Sequence, residues 1–388
     1  MANTAQDRLA DTFRVLRASR YSAPEREGDA LPIALGDLTL PARTDAGVYK
    51  LPKIDTAGAG TWCIAGHRIK GAVSLFDDNG AIPGGNFTVN VANNFQGKGV
   101  IATAAFSAAP TGKVSAVCQG LDDAGGALIE NPFRVIESLM TGFWGFALGD
   151  IDPLALSRAV EGADALGYKA AGLLLNDHAP AAALTDILGD FLGRYEVDAL
   201  GRLRLSLAAE EAATLHPVKA LPAFPAENVS AETSRDSVIN QAPVLYAKDH
   251  RGGDHILHDD GEAEKDAASQ ALYGVRLPSR GRLDLDWIRQ EAVARKVQAR
   301  IVERFAEPAR FWTLRDSTLR ALEVEQDDYV SFSVPWGRTE DLEPLTNQIG
   351  QVVSVGIDPG EQTMELRLRD TGRFLKDSSG NRLLTPAA

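Results

Sequence analysis

Cysteine is nearly missing from this chain. Cys63 and Cys118 are the only two in 388 residues, and no CxxC pair occurs. Neither a disulfide framework nor a thiolate zinc site is expected, and the chain suits a reducing cytosol. Positive charge is also in deficit: 53 acidic against 40 basic residues give a net charge of -13. Such a surface repels nucleic acid and anionic membrane rather than holding them by counterion release, although an acidic wall serves DNA that must slide past without sticking. No stretch approaches the ~18 apolar residues of a membrane span. Met1 to Tyr21 carries Asp7, Asp11 and several arginines without an apolar run of signal-peptide length, so neither export by that route nor a membrane anchor is expected.

The motifs of common chemistry are absent too. Gly97-Lys98-Gly99 lacks the first glycine and the following Ser/Thr of a phosphate-binding loop, and no GxGxxG or GxSxG pattern occurs. Three groups of residues deserve weighing. Trp62-Cys63-Ile64-Ala65-Gly66-His67 sets a cysteine four positions from a histidine, but a buried small hydrophobe is the plainer reading of Cys63. The run from His250 to Asp260 packs His250, His255 and His258 among Asp254, Asp259 and Asp260; imidazole plus carboxylate suits a divalent ion, and a solvated loop between strands is the plainer alternative. The carboxylate pairs Asp77/Asp78, Asp122/Asp123 and Asp327/Asp328 have the composition of a glycosidase site, yet each lies beside a turn or strand start, where Asp bonds local backbone. No catalytic, cofactor-binding or metal residue is therefore assigned, no cofactor is expected, and the chain reads as a non-enzyme.

What is present is alternating texture. Leu9, Phe13 and Leu16 recur at helical spacing in residues 5–17, an amphipathic arm that packs on its own domain or docks onto a neighbour. Short β-type runs follow at Trp62–Ile64, Ala72–Phe76, Phe87–Val91, Val100–Phe106 and Lys113–Cys118, separated by turn signals such as Asp77-Asp78-Asn79-Gly80 and Pro83-Gly84-Gly85. They predict a β-sandwich or barrel. Asn131-Pro132 and Asp152-Pro153 each place a capping side chain before a proline suited to the first helical turn. They predict helices to about Met140 and from Leu154 to Leu166. A strand at Tyr168–Leu175, a helix over Ala181–Leu192 and strands at Tyr195–Val197 and Leu203–Leu207 complete a small α+β unit.

Beyond a proline-spaced linker from His216 to Pro225, strands are predicted at Val238–Asn240, Val244–Tyr246, Phe311–Leu314, Asp328–Val334, Gln351–Ile357 and Thr363–Leu368. A polar loop, Asp249–Asp266, interrupts them. The apolar stripe Ile288, Val293, Val297, Ile301, Val302 and Phe305 predicts a helix over 286–307, capped by Asp284 or Asp286 and stopped by Pro308. The fold class is α+β and multidomain, with two β-barrel or sandwich tube-like domains plus small α+β domains. The expected division is an N-terminal arm at 1–30, a first barrel at 31–128, an α+β domain at 129–215, a second barrel with the long helix at 216–375, and a tail at 376–388.

Three sets of stretches together resemble the central hub protein of tailed-phage tails. Leu31-Pro32-Ile33-Ala34-Leu35-Gly36-Asp37-Leu38 is similar to the opening of the first hub segment. Ile129-Glu130-Asn131-Pro132, with Val135-Ile136, Ile151-Asp152 and Ala163 to Tyr168, is similar to the helical hub domain. Ser237-Val238-Ile239-Asn240, Tyr273-Gly274-Val275-Arg276, Ala292 to Phe305 and Leu322 to Val330 resemble the second barrel, with Gln326-Asp327-Asp328 where relatives have a Pro-Gly-Asp turn. The resemblance implies a homotrimer in which six barrels form a pseudo-sixfold ring. Such a baseplate hub or tail-tip protein joins the tail tube or distal tail protein ring to tip, spike and receptor-binding components. DNA passes through its lumen without specific binding. Its location is the virion tail tip, after assembly in the host cytoplasm. Trp62, Trp144, Trp312 and Trp336 offer an alternative, the sugar-stacking faces of a β-sandwich glycan-binding adhesin; a cell-wall hydrolase is a further alternative.

Overall fold

The computed structural model describes residues 5–10, 13–21, 23–43, 45–198, 200–207, 219–221, 228–316, 324, 328–338, 344–358, 360 and 363–370. By internal contacts the chain divides into two units. The first takes residues 1–207, 243–260 and 282–297; the second takes 208–242, 261–281 and 298–388.

In the first unit, helix α1 (Ala5–Ala10) ends well before the predicted Arg17. Phe13 instead forms an antiparallel bridge with His178, its N–H donating to the His178 carbonyl at 2.8 Å, and the Val15 N–H is taken by Asp177. The spacing of Leu9, Phe13 and Leu16 thus serves an extended strap after one short helix. That strap lies on its own unit, and Leu16 is left 40% exposed.

The β-type runs appear as expected, among nine strands that precede the helices. β1 (Ile33–Leu35), β2 (Tyr49–Lys50), β3 (Lys53–Asp55), β4 (Thr61–Ala65), β5 (Gly71–Asp77), β6 (Gly80–Ala81), β7 (Phe87–Asn94), β8 (Val100–Phe106) and β9 (Ser115–Gln119) precede the helices. Two four-stranded antiparallel sheets result, ordered β2-β9-β5-β6 and β3-β4-β8-β7. Their inner faces share one apolar core that includes Tyr49, Trp62, Ile64, Leu75, Phe76 and Phe106. Alternation across a pleat sends every second side chain inward, which is why these short periods of two close into a sandwich.

Helices α2 (Pro132–Gly142) and α3 (Pro153–Leu166) begin where the cap-then-proline pairs place them. Asn131 accepts from the N–H groups of Phe133 and Arg134, Asp152 from those of Leu154 and Ala155, and Gly167 ends α3 with φ of 64°. α2 buries Phe133, Val135, Ile136, Leu139 and Met140 on one face, each worth about 1.5–3 kcal/mol of burial for the larger side chains. β10 (Gly172–Leu174) pairs with β1; it is shorter than the predicted Tyr168–Leu175 because Ala170 and Ala171 give their N–H groups to Glu130 and Trp287 instead. After α4 (Pro180–Asp190) come β11 (Gly193–Val197) and β12 (Leu203–Leu207), an antiparallel pair whose second strand alternates buried and half-buried residues.

The chain then enters the second unit with β13 (Lys219–Ala220) and β14 (Val229–Ser234). Most of the expected linker from His216 to Pro225 lies outside the described residues. Val238–Asn240 is not a strand; its backbone bonds to Arg235, Phe305 and Arg276 rather than to a ladder. β15 (Val244–Lys248) returns the chain to the first unit, and the expected polar loop 249–266 contains a strand, β16 (His255–Asp259), in antiparallel register with β15. The second unit receives α5 (Ala267–Tyr273). β17 (Leu283–Leu285) then lies parallel to β15 in the first unit. Helix α6 (Glu291–Phe305) starts five residues later than position 286, because Leu283–Leu285 joins a sheet and Asp286 accepts from Lys248 and His255 instead of capping. The unit boundary falls within α6.

In the second unit, β18 (Ala309–Asp316), β19 (Tyr329–Arg338), β20 (Pro344–Asp358) and β21 (Thr363–Asp370) complete a six-stranded sheet ordered β13-β19-β20-β21-β18-β14. Its core holds Trp312, Leu314, Val330, Phe332, Val352 and Leu366. The multidomain α+β architecture is thus realised as two packed four-stranded sheets, three smaller sheets and helices in one unit, and one long-stranded sheet with helical segments in the other. Among the described residues no helix is long and apolar enough to cross a membrane. Residues 376–388 lie outside the described residues.

Candidate functional site

The residues weighed from the sequence are dispersed by the fold into separate structural roles. Cys63 is wholly buried with Ala18, Tyr21, Leu31, Ile54 and Ile101, and burial raises its thiol far above the ordinary range. Cys118 touches the Tyr49 hydroxyl at 3.3 Å, and burial pushes its thiol up to about 12. Neither is a thiolate nucleophile at neutral pH. His67 accepts from the Ala34 N–H at 3.0 Å and lies 2.6 Å from the Arg68 carbonyl, so Nδ1 carries the proton by the logic of the network. Burial pushes it down to about 4. It is a neutral histidine holding β1 to the loop after β4.

The three histidines of the 250–260 run do not converge. His255 and His258 stand three apart on β16, so the pleat sends them to opposite faces: His255 reaches Asp286 at 3.0 Å, and His258 is exposed. Among the described residues no three His, Cys, Asp or Glu side chains group as metal ligands. The described carboxylates of these pairs fasten turns and neighbouring segments. Asp77 accepts from Asn79 and Thr111, Asp78 from Lys113, and Asp123 from Ala127. Asp122 takes a two-pronged bond from Arg68, which holds its carboxyl below the usual range. Asp328 meets Lys219 at 2.7 Å, and Asp327 lies outside the described residues. Trp62, Trp144 and Trp312 are each at most 9% exposed, and the Lys53 ammonium covers the Trp62 ring at 4.8 Å. None of the three offers an open stacking face; the Trp336 side chain lies outside the described residues.

The first unit holds a polar cluster that no motif announced. Arg289 is 2% exposed and donates to the carbonyls of Leu40 and Lys248, with Nη2 left without a partner. Burial pushes it down to about 10. Nearby, Asp249 accepts from Arg43 at 2.9 Å and from Arg251 at 2.8 Å; burial opposes its ionisation, but these donors hold it at about 2. His250 has an unpartnered Nε2, and burial, followed by the positive charge of Arg289 and Lys248, lowers it to about 4. Lys248 and His255 both bond Asp286. Asp190 is buried, accepts the Trp287 N–H at 2.7 Å, and is raised well above the carboxylate range by burial. These groups come from the loops beside β2, the end of α4, the β15–β16 hairpin and the turn before α6. Strongly shifted groups occur at functional sites and also in structural ion-pair networks. Here the bonds of these groups are internal to the unit, so the cluster acts as a fastener for distant stretches of chain.

Two asparagines do similar work. Asn131 caps α2 and also donates to the Val160 carbonyl and to Asp164 on α3, at 3.0 and 2.7 Å. In the second unit, Asn240 is fully buried; its amide donates to Ser269 and the Gly274 carbonyl, and its oxygen accepts from the Arg276 N–H at 2.8 Å. The adjacent Ile239 N–H reaches the Phe305 carbonyl. Among the described residues, the first unit has at least two concavities. One of about 1340 Å³ runs past His67, Asn131 and Phe143; another of about 580 Å³ lies beside Trp62 and Lys113.

No known protein-family profile matches the chain, and no curated protein matches it. Several solved structures are similar to it. A prophage tail protein, gp18, from Listeria monocytogenes aligns at 13% identity and a TM-score of 0.32, over 74% of this chain and 78% of its own. A tail protein from Neisseria meningitidis aligns at 10% identity and a TM-score of 0.38, over 91% and 96%. The 43 kDa tail protein of prophage MuSo2 from Shewanella oneidensis aligns at 9% identity and a TM-score of 0.34, over 73% and 74%.

Proposed function

We propose that this chain is a structural protein of a phage tail, acting as the hub of its baseplate or tail tip. In this reading three copies form a ring that joins the tail tube or distal tail ring to tip and spike components, with DNA passing through an acidic lumen. It is not an enzyme, needs no cofactor, and resides at the tail tip of the virion after assembly in the host cytoplasm. One observation carries the reading. Several of the scattered stretches that resemble phage hub proteins are tied together by long-range polar bonds. Asn131 links Glu130–Ile136 to Ala163–Tyr168, and Asn240 links Ser237–Asn240 to Tyr273–Arg276, with Ile239 bonded to the end of α6. These bonds hold stretches that the resemblance names, far apart in sequence, against one another within each unit. The net charge of -13 suits a conduit from which DNA must not be slowed by adhesion. A closed ring also satisfies sheet edges without open-ended association.

Sedimentation of the purified protein tests this reading, with and without its tail-tube partner. A species at three times the 41.5 kDa chain mass is expected. A strictly monomeric particle at high concentration that also fails to co-purify with tail proteins overturns the hub assignment.

A further inference from the structure

In a protein this acidic, the smaller concavity of the first unit has the opposite charge. We infer that it is a binding site for a phosphate-class oxyanion carried on a small organic body. Five cations line it, Arg17, Arg26, Lys50, Lys53 and Lys113, against two carboxylates, Glu25 and Asp29. The cations come from three separate stretches. The segment around Arg26 is pinned to β3 by the bond from the Glu25 N–H to the Lys53 carbonyl. Lys50 is on β2, opposite Ser115, and Lys113 stands two residues before that partner.

Elsewhere in the first unit cations are largely neutralised within the fold. Arg8 meets Asp150, Arg43 meets Asp249, Arg68 meets Asp122, and Lys169 meets Glu130. In the concavity only Arg17 has an ion pair, with Asp177, and Lys53 is spread over the Trp62 ring. Arg26, Lys50 and Lys113 are exposed and have no ion-pair partner among the described residues. Gathering like charges costs free energy unless a counter-charge joins them. Ammonium groups are strong donors to phosphate oxygens, and a guanidinium engages two of them at once. The volume of about 580 Å³ is far larger than a bare phosphate needs and lies in the range of small-ligand pockets. Leu51, Pro52, Val114 and the half-buried Leu175 supply an apolar wall for the body that carries the charge.

The test is titration calorimetry of the full chain with glucose 6-phosphate, glucose, pyrophosphate and sodium sulfate, repeated on Lys50→Ala/Lys113→Ala and on Lys70→Ala as a control. Saturable binding of glucose 6-phosphate is expected, with pyrophosphate weaker and glucose silent. The double variant should weaken binding by about tenfold or more, as the loss of charge-assisted bonds requires, and Lys70→Ala should leave it unchanged. Three results overturn the inference: no heat from either phosphate, equal binding of sulfate and glucose 6-phosphate, or binding that survives Lys50→Ala/Lys113→Ala. Matching circular dichroism of parent and double variant separates loss of the site from loss of the fold.

Discussion

Asp190 shows how a single carboxyl sets a pH dependence. It is buried, its oxygen accepts the Trp287 N–H, and burial raises it well above the ordinary carboxyl value. A raised folded-state value makes the contribution of this group complete below the unfolded value of about 3.9 and progressively lost as pH rises through the folded one. Asp190→Asn retains an acceptor oxygen and removes the charge. Urea midpoints are expected to show the variant more stable than the parent at about pH 8 and equal to it near pH 4; a parent that is the more stable at pH 8 contradicts the assignment. At this scale the sequence was only partly legible. The inertness of Cys63 and the dispersal of the histidines follow from burial and the two-residue pleat, both readable locally. Asp190 and Trp287 carry no pattern, because the bond between them spans 97 positions.

Among the elements, local chemistry decided what was visible. Asn131-Pro132 and Asp152-Pro153 fix their helix starts within three residues of sequence, and α2 and α3 begin there. Asn131→Ala is therefore expected to cost about 1–2 kcal/mol from the cap alone. A further loss is expected as the bonds to Val160 and Asp164 disappear. A shifted denaturant midpoint at constant slope measures this, and an unshifted midpoint rules the cap out as a stabiliser. β16 leaves no strand signal in the sequence, because His255–Asp259 is a strand only by virtue of its pairing with β15, and its polar composition conceals that partner. The start of α6 is hidden for a related reason: Asp286 has the character of a cap, but Lys248 and His255 claim it. The arm that was expected to be helical to Arg17 ends at Ala10 because His178 offers its backbone to Phe13. In each case a distant partner outbid local propensity.

For the whole molecule, the α+β class and the succession of β, helical and β sections were readable from texture alone, but the path of the chain was not. The first unit is assembled from three separated stretches, 1–207, 243–260 and 282–297. Residues 1–207 alone lack β15, β16 and β17, the donor to Asp190, and the Trp287 ring, which lies so close to Gly172 that a Cβ there would come within 2.4 Å of it. Expressed by itself, that segment is expected to unfold without a sharp thermal transition in scanning calorimetry. A cooperative transition near that of the full chain would show that the later stretches are dispensable. The chain passes from one unit to the other five times between Leu207 and Gln298. A single crossover between two related genes anywhere in that interval would join half of one unit's parts to strangers, so both units must be inherited together, and neither is a module that recombination can trade.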